Sequence, residues 1–168
     1  MNVCSKSIFP RNVDALYWIS LCYRKEGEGE KEREAFEAIL AIDSTHAKAW
    51  NHLGVIAQEA GDFEGALTRY DEAIRHDSMS VDARNNRGSV LVDLGRTKEA
   101  MAEFDRALAI NPRFALAHFG KARVYAERQD LEGLARELQL TLRYDPDFQP
   151  ARAWLANLRR QNAQRQGQ

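Results

Sequence analysis

The sequence predicts an all-α fold, an α-solenoid of stacked antiparallel helix pairs, and three observations carry that prediction. The 168-residue chain aligns with itself, without gaps, at an offset of 34 residues. Within each repeat, apolar residues recur at helical spacing on two stripes separated by a glycine turn. Breakers are scarce, with 4 prolines and 10 glycines, and a composition of 44% hydrophobic and 29% charged residues suits a folded chain.

The first unit, residues 13–46, joins the array through Gly27, Phe36 and Asp43, which fall one period before Gly61, Tyr70 and Asp77. It departs from the pattern at Glu32, Ile39 and Gly29, where two small residues and a large apolar one are expected. The second unit, 47–80, is the clearest. Trp50, Leu53, Gly54 and Ala57 stand at i, i+3, i+4 and i+7, one face of a helix. Gly61 then closes that helix, where a left-handed residue suits glycine. Ala66, Tyr70, Ala73 and Ile74 repeat the spacing on a second helix. Small residues at Gly54, Ala66 and Ala73 let two helix backbones approach, and Trp50 and Tyr70 fill the remaining volume.

The third unit, 81–114, places Gly88, Gly95, Ala100, Phe104 and Ala107 one period after Gly54, Gly61, Ala66, Tyr70 and Ala73. The fourth, 115–148, is looser: Leu134 and Thr141 replace the alanines and Gln129 the turn glycine. Pro112 and Pro146 close the last two units, where proline stops one helix and suits the first turn of the next. Residues 149–168 read as one more helix, with Ala153, Leu155, Ala156 and Leu158, a solvating C-terminal cap that ends in a polar tail. Residues 1–12 look like the last turn of a preceding repeat or an N-terminal cap, because Ile8 and Pro10 fall one period before Ile42 and Ser44.

Charge gives little support to nucleic-acid binding. The formal net charge is -1, although residues 149–168 carry Arg152, Arg159, Arg160 and Arg165 and no acid. Cations there suit a helix end. Cys4 and Cys22 form no CxxC and have no histidine near them in sequence, so they read as free thiols. No apolar stretch is long enough for a membrane span or a signal peptide, and a cytoplasmic setting is the default expectation.

A period of 34 carrying Trp50–x–x–Leu53–Gly54, a turn glycine at Gly61, Ala66, the aromatic Tyr70 and Ala73, with proline at Pro112 and Pro146, resembles the tetratricopeptide repeat. The resemblance covers residues 13–148. It implies a right-handed superhelix whose concave face is lined by the first helix of each unit, with recognition positions at the second, fifth, ninth and twelfth residues. On this chain those positions are Asp14, Tyr17, Leu21 and Arg24; Lys48, Asn51, Val55 and Gln58; Asp82, Asn85, Ser89 and Val92; and Leu116, Phe119, Arg123 and Ala126. The spacing is also that of the face opposite the buried stripe. Asn51 and Asn85 could bond a peptide backbone, since an amide both donates and accepts.

Some relatives hold a C-terminal carboxylate with a clamp of Lys, Arg and Asn. Tyr17 and Leu21 stand where its first Lys and Asn would be, which disfavours that ligand. Others carry Asn at the sixth position of successive units. Here the series reads Trp18, His52, Asn86 and Gly120, so Asn86 alone matches.

No two of His46, His52, His76 and His118 stand at i, i+3 or i, i+4, and no phosphate-loop, nucleophile-elbow or dinucleotide motif occurs. His46 and His76, near repeat ends, read as exposed, and the abundant carboxylates read as i, i+4 surface pairs. The expectation is a non-catalytic scaffold or adaptor that binds a protein or peptide, with no cofactor, metal, nucleic acid or membrane partner. The alternative is a regulatory or substrate-recruiting module of a larger enzyme. Self-association through the repeat ends, with Ile8 and Phe9 as an apolar edge, is a third possibility.

Overall fold

The structure, a computed structural model, describes residues 12–166. The described residues form helices and turns: α1 (Val13–Glu26), α2 (Gly29–Ile42), α3 (Ala47–Glu59), α4 (Phe63–His76), α5 (Val81–Asp93), α6 (Thr97–Ile110), α7 (Ala115–Glu127), α8 (Leu131–Tyr144) and α9 (Gln149–Gln166). Each 34-residue segment from Val13 to Phe148 therefore holds two helices. Cys4 and the residues behind the reading of a preceding repeat and an apolar edge, Ile8, Phe9 and Pro10, lie outside the described residues. The chain divides into two compact bodies, Met1–Ala83 and Arg84–Gln168.

The turns repeat as closely as the helices. Gly27, Gly61 and Gly95 take φ of 75°, 79° and 71°, and Gln129 takes 58° at the same place in the fourth unit. One residue on, the N–H of Glu28, Asp62, Arg96 and Asp130 bonds back to the carbonyl of Tyr23, Ala57, Leu91 and Tyr125, the Schellman closure of a helix end. The second helix of each unit ends at Asp43, Asp77, Asn111 or Asp145. Each side chain accepts the backbone N–H two residues later. Each carbonyl accepts the N–H three residues later, from His46, Ser80, Phe114 and Phe148. This is a β-turn opened by an Asx residue. Pro112 and Pro146 occupy its second position, which corrects the expectation that they enter the next helix: α7 starts three residues after Pro112.

In the first body, α1 packs on α2, α2 on α3 and α3 on α4. Leu16, Phe36, Ile39, Ala49 and Leu53 form its core cluster. Gly54 of α3 faces the fully buried ring of Tyr70 on α4, and a Cβ there would stand 2.5 Å from a ring carbon. The small residue is thus required by the ring. Trp50 is half-buried, with its indole N–H donating to the Ser44 carbonyl.

In the second body, the Phe104 ring of α6 lies between Gly88 of α5 and Gly120 of α7, with added Cβ distances of 2.7 and 2.4 Å. Helix α9 packs on α8, joining Ala151, Leu155 and Leu158 to Ala122, Leu134 and Leu138. No helix among the described residues is long and apolar enough to cross a membrane.

Two expectations about charge are corrected. Glu32, Glu103 and Glu137 are buried, not surface partners. Glu103 pairs with Arg84, Arg87 and Arg106, and Glu137 with His118 and Lys121. These pairs run mostly between the two helices of one unit, where burial demands a counter-charge. His46 and His76 are half-buried. His46 Nδ1 accepts the Ala49 N–H and so caps α3, and His76 Nε2 lies 3.6 Å from Glu72.

Candidate functional site

The first-helix positions are held by the stripe opposite them. In α1, Leu16, Ser20 and Tyr23 are buried. Helical geometry therefore turns Tyr17, Leu21 and Arg24 toward the remaining arc, where all three are half-buried. In α3 the buried stripe is Ala49, Leu53, Gly54 and Ala57. Lys48 is exposed, and Asn51, Val55 and Gln58 are half-buried.

Several of these side chains meet partners the sequence did not announce. Gln58 Oε1 accepts the Tyr70 hydroxyl at 3.0 Å. Burial pushes that hydroxyl's pKa far up, so it remains a donor and holds the Gln58 amide in place. Tyr17 Oη lies 3.3 Å from His52 Nε2, and an Arg24 Nη atom lies 3.1 Å from His52 Nδ1. The same guanidinium stands 3.6 Å from Glu32 Oε1 and 3.5 Å from Glu59 Oε1. Glu32 Oε1 is buried and receives no hydrogen bond. Burial raises the Glu32 pKa, with Glu59 adding to the rise and Arg24 opposing it.

His52 is the centre of this cluster. Its ring stacks on Phe36 at 4.6 Å and 8°. Burial first, and then the positive charge of Arg24, lower its pKa to about 4, so the ring is neutral near pH 7. The sixth position, where the sequence carries no Asn ladder beyond Asn86, is a packing position between repeats. His52 meets Phe36, Gly120 meets Phe104, and Trp154, one period on, meets Phe119. Asn86 shares that register, and its Oδ1 accepts from Asn85 at 3.4 Å.

In the second body the positions divide. Asp82, just before that body, and Leu116 are exposed. Ser89, Phe119, Arg123 and Ala126 are half-buried. Asn85 and Val92 are buried, which corrects their placement on an open face: 9% and 3% exposure leaves little side chain for a ligand. Arg123 donates to Ser89 Oγ at 2.9 Å and to Asp93 at 2.5 Å. Ser89 and Arg123 hold the same position in successive units, so this contact joins α5 to α7 along one face. Phe119 packs on Phe148 at 4.9 Å and Trp154 at 5.4 Å. The same fifth position in α1, Tyr17, packs on His46 at 6.0 Å and His52 at 5.8 Å, the counterparts of those two rings.

Sequence reasoning missed His52, Glu59, Glu32 and Asp93 as members of these clusters. One signal was present: a glutamate at the small-residue position 32 requires a cation nearby, and Arg24 lies just before the turn, on the partner helix. Nothing in the spacing marked Glu59 or Asp93.

Comparisons with known proteins agree with this architecture. The family model described as tetratricopeptide repeat matches residues 5–47 and 51–113, more than half of the chain. The structure of MamA residues 41 to the end from Desulfovibrio magneticus RS-1 superposes with a TM-score of 0.74 at 17% identity, covering 94% of this chain and 88% of that one. YrrB, described as a TPR protein with an unusual peptide-binding site, superposes with a TM-score of 0.68 at 20% identity, covering 84% and 73%. The heat-shock protein cognate co-chaperone sgt12 of Aspergillus fumigatus is 32% identical over 68 residues. That match spans 40% of this chain and 20% of the curated relative's length.

Proposed function

The chain belongs to the tetratricopeptide repeat family, and on that premise we propose that it is a non-catalytic, cytoplasmic adaptor that holds a segment of another protein against the first-helix face. The observation that carries this reading is the contact between Ser89 and Arg123, one period apart on successive first helices. Side chains of neighbouring repeats meet there, so within the second body the first-helix face is continuous from α5 to α7. In the first body, Leu21 and Val55 offer apolar contact and Tyr17, Lys48, Asn51 and Gln58 hydrogen bonds; in the second, Leu116 and Phe119 offer apolar contact and Arg123 hydrogen bonds.

YrrB, by its description, binds a peptide, and sgt12 is a co-chaperone; both support a protein ligand for this chain. The clamp for a C-terminal carboxylate is not the mode proposed, because Tyr17 and Leu21 replace its first cation and amide. The test is a display library of random dodecapeptides selected on the intact chain, with affinity measured by calorimetry. Selected peptides should bind, and Val55→Asp should weaken them at least tenfold while circular dichroism stays helical. Peptides that bind Val55→Asp and the parent chain equally would contradict the proposed face.

A further inference from the structure

We propose that Tyr17 is a fixed hydrogen-bond donor on this face, set by Arg24 and His52 to take an uncharged main-chain carbonyl of the bound segment. The inference rests on the reading of the first-helix face as a peptide site, and names the group that Tyr17 recognises there.

The direction of every bond in the chain follows from its first member. A guanidinium donates and cannot accept. Arg24 stands 3.1 Å from His52 Nδ1, so that nitrogen presents its lone pair. Burial keeps the ring neutral near pH 7, and a neutral imidazole carries one proton. That proton is therefore on Nε2, 3.3 Å from the Tyr17 oxygen. The Tyr17 oxygen accepts it, and the phenol's own proton meets no acceptor among the described residues. A hydroxyl that alone could turn either way is thus committed to donating.

Packing keeps the relay in register. His52 lies flat on Phe36, and Tyr17 meets Phe36 edge-on at 6.1 Å and Trp18 edge-on at 6.4 Å. Glu32, buried and without a hydrogen bond on Oε1, holds Arg24 by charge from below, while Glu59 flanks it from α3. Arg24 is thus already paired with two carboxylates, and a neutral carbonyl, satisfied by one donor, fits the Tyr17 hydroxyl.

Two measurements on the intact chain test this. Nitrogen-15 NMR of His52 at pH 7 should show a pyrrole-like Nε2 and a pyridine-like Nδ1. The Arg24→Ala, Glu32→Ala double variant, which restores a small residue at 32 and leaves no buried charge unpaired there, should mix the tautomers. An Nδ1–H ring, or an unchanged ring in the double variant, overturns the relay. The second measurement uses the tightest peptide from the dodecamer library. Tyr17→Phe keeps the ring and should weaken it threefold to tenfold, the value of one neutral hydrogen bond. Replacing peptide amides one at a time by esters, whose carbonyls accept more weakly, should show one position whose effect vanishes in Tyr17→Phe. If peptides bind and Val55→Asp weakens them, but Tyr17→Phe does not, the donor role fails and the face stands. If no peptide binds, the face fails and the donor role with it.

Discussion

Gln129 holds a backbone that glycine holds at 27, 61 and 95, with φ of 58°. An L side chain there costs about 1–2 kcal/mol, of which the freer unfolded state of glycine takes back part. Gln129→Gly should therefore stabilise the chain by roughly 0.5–1 kcal/mol, read from urea unfolding. Gly88→Ala should do the reverse, by about 1–3 kcal/mol, because its Cβ meets the buried Phe104 ring at 2.7 Å. Adding Phe104→Leu should recover part of that loss, since the fourth unit pairs Leu138 with Ala122 in one core. The His52 imidazole gives a pH signature. Its folded pKa of about 4 lies below the ordinary 6.5, so the unfolded chain binds the extra proton and stability falls as pH drops between those values. The loss is up to about 3 kcal/mol, and His52→Phe should remove it. Glu32, whose pKa is raised, works in the opposite sense and relaxes on protonation. At this scale the sequence was legible wherever one residue type has one use, as at the turn glycines. His52 was not, because its partners come from two other helices and a spacing rule sees only one.

Helix pairs are joined by both oil and charge, and the balance differs along the chain. In α7 and α8, His118 Nδ1 stands 2.7 Å and Lys121 Nζ 3.3 Å from the buried Glu137 carboxylate. Burial alone would raise the Glu137 pKa, but these partners outweigh it and the net shift is downward. The stabilisation it gives is present above the ordinary carboxylate value of 4.5 and is lost as pH falls through the lower folded one. Glu137→Leu, which removes the buried carboxylate from Lys121 and His118 and leaves them Asp105 and the Pro112 carbonyl, should cost roughly 1–3 kcal/mol at pH 7, measured by thermal unfolding. Apolar periodicity located these helices because their cores are Ala, Leu and aromatic rings. It could not distinguish a buried glutamate from a solvated one. Glu103 and Glu137 stand next to Phe104 and Leu138 in sequence and share their buried side of the helix. The end helix α9 depends on contacts the periodicity did locate, Leu155 and Leu158, and on Trp154, which meets Phe119.

At the scale of the molecule, the period of 34 accounts for the turns, the helix ends and the order of packing within each body. It accounts for the open face only in part. Of the recognition positions that family resemblance supplies, Asn85 and Val92 are buried, and Gln58, Tyr17 and Arg24 are tied to Tyr70 and His52. Exposure depends on which neighbour sits across a turn, and a repeat consensus averages that away. The proposed ligand, a protein segment, lies along the first helices. Amide and methyl NMR shifts on titration with the tightest library peptide test it most directly. Changes should concentrate at Tyr17, Lys48, Asn51 and Val55 of α1 and α3, or at Ser89, Leu116 and Arg123 of α5 and α7. Changes confined to the exposed sides of α2, α4, α6 and α8, or to the basic end of α9, would contradict it.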